Sequence, residues 1–470
     1  MGTNRGVVML RVLGLLTTAA LVATSGNNLH TSAEPARASA APSRDAGEMA
    51  TLDVGALLAA ARGAPPIICA LVAQSVRGYG WGDRADAPAT PLNVNDILGD
   101  GDRSSRQLAS ADVDRLLEAL SSDDACVREL SVRLVGRQDD ARVGPALITK
   151  LSASDAALRT VAALGLGLAQ PSAAVDPLMR ALRDATPGVR ANSAWALGRM
   201  ESGRALQSLV ALFRDDTPMV REAAVAATGR LESTSAVAAL TRVLQQDDAA
   251  SVRRVAAWAL GHLESRDAAD ALTTALGRDR DARVREMSAW ALGSIEQRTA
   301  SGALQTALRG DADDAVRETA AWALARVEDA AAAAALGAAA QNDRSSRVRG
   351  TAAWALGQLR EDGKAPAGLL RVLRDESEDA RMKAAWALGQ IGDSAALPAI
   401  RDALKVEQSS QVRRALVRAL TKSGGNSEAM LSELLSSKDS QVREAAVRGL
   451  AGHNSFNPWP WPWPRPRPFP

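Results

Sequence analysis

A Val-Arg pair, or a close variant, returns every 30 to 32 residues along this chain, with its first residue at 127, 158, 189, 220, 252, 284, 316, 348, 380, 412 and 442. A period of that length is the mark of a repeat array, in which each unit is too small to bury its own apolar face and must stack on its neighbours. The clearest copies are VRANSAWALGRM from Val189, VRRVAAWALGHL from Val252, VREMSAWALGSI from Val284, VRGTAAWALGQL from Val348 and ARMKAAWALGQI from Ala380. With the first residue counted as zero, positions 0, 3, 4, 7, 8 and 11 are mostly Val, Ala or Leu, the spacing of one helical face. An acidic turn precedes each copy, and a second helix-like segment such as residues 174–182 precedes the turn. The unit is therefore helix A, a short turn and helix B, and the expected fold is all-α: an α-solenoid of about eleven helix-turn-helix units over residues 108–452. Aromatic residues make up only 3% of the chain, so close packing of alanine and glycine must do what large side chains do in other cores.

The pattern D-x-x-x-x-V-R-x-x-A-x-x-A-L-G resembles the HEAT repeat, in the short subclass named for phycobilisome lyases. The resemblance implies a solenoid whose B helices line a concave surface where partners dock, with an Asp–Arg ladder along the turns. Arginine fills position one throughout, including Arg190, Arg221, Arg253, Arg285, Arg317, Arg349 and Arg381. An acidic residue stands six places before an arginine of this series at Asp184, Asp215, Asp247, Asp279, Asp311, Asp343, Asp375 and Glu407. Alternating charges of this kind can form a chain of charged hydrogen bonds that locks the turns. Glycine recurs at position nine, where it costs about 1 kcal/mol relative to alanine, so a close approach of backbones is expected there.

Position six carries Trp195, Trp258, Trp290, Trp322, Trp354 and Trp386. It lies about 240° round the helix from position zero, on the flank of helix B and away from the centre of the apolar face. Two readings stand: an aromatic row about 50 Å long that binds a partner, given repeats about 10 Å apart, or rings that cover the alanine-rich helix of the next repeat. At the array ends the same position holds Arg133, Arg418 and Arg448, as expected of soluble caps.

Outside the array, residues 1–25 read as an export signal, with Arg5 and Arg11, an apolar run over 12–23 and small residues at 23–25. An uncleaved membrane anchor is the alternative, although the run is shorter than the roughly 20 residues a span needs. Either way the expected location is outside the cytoplasm, in a periplasm or cell envelope. Residues 26–50 read as a flexible linker, and 51–107 as a helical cap followed by a loop. Residues 453–470 form a Pro/Trp/Arg-rich tail with proline at every second place from Pro458, which excludes a helix. In composition that tail resembles membrane-active cationic peptides. Trp459, Trp461, Trp463, Arg465 and Arg467 could then touch a lipid or envelope surface, the other reading being a solvated tail. Cys69 and Cys126 are the two cysteines, either disulfide-bonded to each other in an oxidising compartment or buried as thiols.

Several classes of chemistry find no support. The three histidines are scattered, the cluster Asp96, Asp100 and Asp102 lacks the spacing and closing glutamate of a calcium loop, and no phosphate-binding glycine motif occurs. No catalytic constellation, metal site or cofactor site is expected. A formal net charge of +2 gives no field for nucleic acid. The expected role is a monomeric, non-catalytic scaffold that holds a protein or extended peptide on the concave face. The resemblance also admits a bilin-lyase-like enzyme acting on a chromophore.

Overall fold

The computed structural model describes residues 53–63, 107–359, 363–422, 428–438 and 440–451. The chain divides into Met1–Thr51, which lies outside the described residues, and Leu52–Pro470. Within the second unit, α1 (Val54–Ala61) is followed by helical pairs. The first six pairs are α2 and α3 (Ser110–Ala119, Ala125–Val135), α4 and α5 (Val143–Lys150, Ala156–Ala169), α6 and α7 (Val175–Ala181, Pro187–Arg199), α8 and α9 (Leu206–Ala211, Pro218–Arg230), α10 and α11 (Val237–Gln246, Ala250–His262), and α12 and α13 (Ala269–Arg278, Ala282–Ser294). The rest are α14 and α15 (Ser301–Gly310, Asp314–Val327), α16 and α17 (Ala333–Asn342, Ser346–Leu359), α18 and α19 (Ala367–Val372, Glu378–Ile391), α20 and α21 (Leu397–Val406, Ser410–Lys422), and α22 and α23 (Glu428–Leu434, Ser440–Leu450). Among the described residues there are eleven pairs and no strand, an α-solenoid.

Seven of the B helices start at a side-chain cap or a proline. Asp124, Asp155, Asp281, Asp313 and Ser377 cap α3, α5, α13, α15 and α19 with their side chains, and Pro187 and Pro218 open α7 and α9. Successive B helices pack tightly on one another, whereas successive A helices touch far less. A B helix is thus covered by its own A helix and by the B helix on either side. In α11, nearly every residue from Val255 to Gly261 is buried, including Trp258. The buried surface is wider than the stripe at positions 0, 3, 4, 7, 8 and 11, because that stripe records only the contact with helix A.

The turn from helix B to the next helix A has a feature that the repeat pattern did not announce. Position twelve is left-handed, with φ of 49° at Glu201, 50° at Glu232, 48° at Glu264, 50° at Glu296, 51° at Glu328 and 53° at Gln170. Gly392 takes the same place with φ 70°. Glycine is the usual occupant of such a helix terminus, because a side chain there costs about 1–2 kcal/mol. Here glutamate fills it five times, and a single 3-10 turn leads into the following A helix, as at Arg266–Ala268.

The N-terminal end differs from expectation. Arg133, placed at the position-six site of α3 as a soluble cap, is only 5% exposed. The reason is α1, which packs on α2 and α3 through Val54 and so shields this end of the stack. Arg133 is accommodated by Glu129, one turn earlier, whose Oε1 accepts from Arg133 Nε at 3.1 Å. At the other end, Arg418 and Arg448 are exposed, as a cap requires.

Candidate functional site

The arginines at position one join consecutive turns. Arg190 Nε and Nη2 donate to the two carboxylate oxygens of Asp215 at 2.7 and 2.8 Å, and Nη1 donates to the carbonyl of Asp184 at 2.9 Å. The carboxylate belongs to the next repeat and the carbonyl to the arginine's own turn, so one guanidinium bolts two repeats together. The same fork recurs from Arg221 to Asp247, Arg253 to Asp279, Arg285 to Asp311, Arg317 to Asp343 and Arg349 to Asp375. It also runs from Arg159 to Asp184 and, with a glutamate, from Arg381 to Glu407. Each carboxylate also accepts from the backbone N–H two residues on, as Asp311 does from Asp313 at 2.9 Å. The hydrogen bond from Arg159 holds the Asp184 carboxyl below its ordinary range. At Asp311 burial pushes the other way, but the Arg285 guanidinium and the backbone donor of Asp313 together still leave it lowered. With every fork donor engaged, these groups serve the stack rather than a ligand.

The tryptophans lie between B helices. A β-carbon added at Gly229, Gly261, Gly293 or Gly357 would come within 2.7–2.9 Å of Cζ3 of Trp258, Trp290, Trp322 or Trp386, each from the following repeat. Gly167 stands in the same relation to Trp195. The position-nine glycine therefore makes room for the edge of a neighbour's indole, and the sequence expectation of close approach has a definite partner. Trp258 and Trp354 are 8% and 5% exposed, whereas Trp195, Trp290, Trp322 and Trp386 are half-buried. Packing against the preceding repeat and a remaining exposed face are combined in the four half-buried rings. Trp354 and Trp386 stack with centroids 6.4 Å apart, and Ala226 interrupts the row between Trp195 and Trp258.

Position ten, one turn beyond, lies against these rings. The Arg199 guanidinium sits 5.2 Å over Trp195, and His262 stacks on Trp258 at 5.2 Å. On the same B-helix surface stands position two, with Arg254, Glu286 and Glu318. Glu318 pairs with Arg347 and accepts from Thr351 Oγ1 at 3.3 Å. Burial first, then the nearby Asp313 and Glu318 charges, raise the Glu286 carboxyl above its ordinary range. The half-buried rings thus alternate with carboxylates and arginines.

Several expected features lie outside the described residues: the export signal and linker, the second cap helix and loop, Asp96, Asp100 and Asp102, and the tail with Trp459, Trp461, Trp463, Arg465 and Arg467. Cys126 is disulfide-bonded, and the chain's one other cysteine, Cys69, also lies outside the described residues. Among the described residues no helix is long and apolar enough to cross a membrane, and no group of His, Cys, Asp or Glu is arranged to hold a metal ion.

The family profile for HEAT repeats matches residues 144–229, 211–293, 237–325, 301–371, 334–421 and 366–451. Among curated protein sequences none matches this chain. Similar solved structures include Kap95p in complex with RanGDP, at 14% identity over 72% of this chain and 55% of that one, with a TM-score of 0.53. An engineered protein is 22% identical over 73% of this chain and 99% of that one, with a TM-score of 0.41. The complex of CpcE and CpcF of phycocyanin lyase from a Nostoc species is 23% identical over 53% of this chain and 94% of that one, with a TM-score of 0.32.

Proposed function

The chain belongs to the HEAT-repeat family, and from that premise we propose that it is a non-catalytic scaffold holding a protein or an extended peptide segment on the layer of B helices. The observation that carries this reading is the partial exposure of Trp195, Trp290, Trp322 and Trp386, which alternate with Glu and Arg side chains on one surface. Tryptophan and arginine dominate the energy of many interfaces, because they bury a large area while keeping a polar contact. The closer packing of B helices than of A helices would make their layer the concave one, so a partner seated there meets several repeats together. Kap95p, which binds another protein in its solved structure, supports a protein partner in general for this fold. The reading places the scaffold outside the cytoplasm, on the strength of residues 1–25 alone.

Photo-crosslinking of the full chain tests the surface directly. A crosslinking residue introduced at Arg283 or Arg326, both exposed on B helices, should yield a partner adduct. The same residue at Arg309, exposed on the A helix α14, should yield none. Adducts from Arg309 alone would move the interface to the other layer and reject the proposal.

A further inference from the structure

The packing of the B layer leaves two half-buried charges over. Arg230, at position ten of α9, and Glu286, at position two of α13, make no hydrogen bond or ion pair among the described residues. Other half-buried charges of the stack are engaged: the fork arginines hold the next turn, Glu318 pairs with Arg347, and Lys383 pairs with Asp379 at 2.8 Å. At position ten on either side, Arg199 and His262 rest on Trp195 and Trp258 of their own helices. Arg230 has no such ring, because position six of α9 is Ala226. Burial lowers the proton affinity of the Arg230 guanidinium, and Glu201 only partly offsets this from beyond contact distance. At Glu286, Arg347 and Arg254 act across a similar gap. Drawing a charge out of water without pairing it costs free energy, which a bound counter-charge recovers.

We propose that Arg230 and Glu286 select the partner of the B layer: an extended peptide segment that sets a carboxylate on Arg230 and an ammonium or guanidinium on Glu286. The inference rests on the reading of this layer as a protein-binding surface, and adds the charge pattern of what it holds. The two residues stand two repeats apart across the stack and eight residues apart along the helix direction. With repeats about 10 Å apart and a rise of about 1.5 Å per residue, their separation is about 23 Å. An extended chain covers that distance in about seven residues. Midway, the line between them crosses position six of α11, where His262 is stacked on Trp258. At the far end Trp290, one turn beyond Glu286 and half-buried, offers a ring to the same cation. Opposite charges at the two ends also select one direction of the segment, since its reverse would bring like charges together.

Selection of a displayed library of random twelve-residue peptides on the full chain tests this, with a crosslinking residue at Arg283, one turn before Glu286, to report binding on this layer. Retained peptides that crosslink there should carry Asp or Glu and Lys or Arg about seven places apart. A synthetic peptide of the selected pattern should bind R230E about tenfold more weakly, and regain affinity when its acidic residue is replaced by lysine. E286K should behave in the same way toward the peptide's basic residue. The neutral variants R230M and E286Q, which keep most of each side chain, should not lower the melting temperature, since each removes an unpaired charge. Crosslinked peptides with no charge preference, or with affinities indifferent to R230E and E286K, overturn the inference and leave the reading of the surface standing. A marked fall in melting temperature in R230M and E286Q would make the two charges part of the fold, and overturns it too. No crosslinked peptide at all would remove the reading of the layer, and this inference with it.

Discussion

The edge of the Trp322 ring occupies the space beside Gly293 in the preceding repeat: a β-carbon on that glycine would stand 2.7 Å from Cζ3 and 2.9 Å from Cα of Ala323. Helix B tolerates a poor helix former at this point because its neighbour's indole and backbone fill the gap. Replacing Gly293 by Ala should therefore destabilise the protein by about 1–3 kcal/mol, despite the gain of about 1 kcal/mol in helix propensity. Thermal unfolding of the variant reads the sign. The repeat before Trp354 has Ala325 at the same position, so the loss at Gly293 should stay at the lower end of that range.

The arginine fork is the second load on the stack. Arg285 and Asp311 have side chains 16% and 8% exposed, and the carboxylate left behind by Arg285→Ala would keep only backbone donors. A loss of about 2–3 kcal/mol is expected, less than the roughly 3–5 kcal/mol for a fully buried pair because some solvent screening remains. Denaturant titration of R285A, D311A and the double variant measures it. The double variant should be much less destabilised than the sum of the singles.

The forks also fix the acid response. Asp184 is lowered in the folded chain by the Arg159 guanidinium, so its contribution is complete above the unfolded value of 3.8 and is lost as pH falls through the lower folded value. The melting temperature should fall steeply below pH about 4, and Asp184→Asn should flatten part of that fall.

Glu129 works in the opposite direction. Burial, only partly offset by Arg133, pushes its carboxyl up to about 7 from 4.5. Between those values the folded chain binds more protons than the unfolded chain, so this group removes stability as pH rises through the window. Glu129→Gln should make the slope of melting temperature against pH less negative there. An identical slope in the two proteins contradicts this.

Glu264, with φ 48°, holds a left-handed position without glycine's freedom. Glu264→Gly should stabilise the chain by about 0.5–1 kcal/mol, whereas Glu264→Val should destabilise it, since a β-branched side chain suits that conformation least. Paired urea titrations distinguish the two.

The repeat itself was legible from the residues. Val at position zero, Arg at position one and the acid six places before it recur in register, and a helical face with a polar turn has one economical way to bury itself, which is to stack. The eleven hairpins, the close approach at position nine and the presence of charges for a ladder all follow from local patterns. Helical angles count only the contacts of a helix with itself and its hairpin partner, so they put the tryptophans on the flank of helix B and left open whether that flank binds a partner or covers another repeat. Stacking turned that flank toward the preceding repeat, where Gly261 and Gly293 receive the rings. The same blindness hid the burial of Arg133, which depends on α1 lying across the first pair, and the left-handed glutamates, whose strain is imposed by the direction in which the next hairpin must leave. Periodicity in one chain specifies what each unit offers for burial; which surface is covered, and by which residue of which neighbour, exists only once the units are assembled.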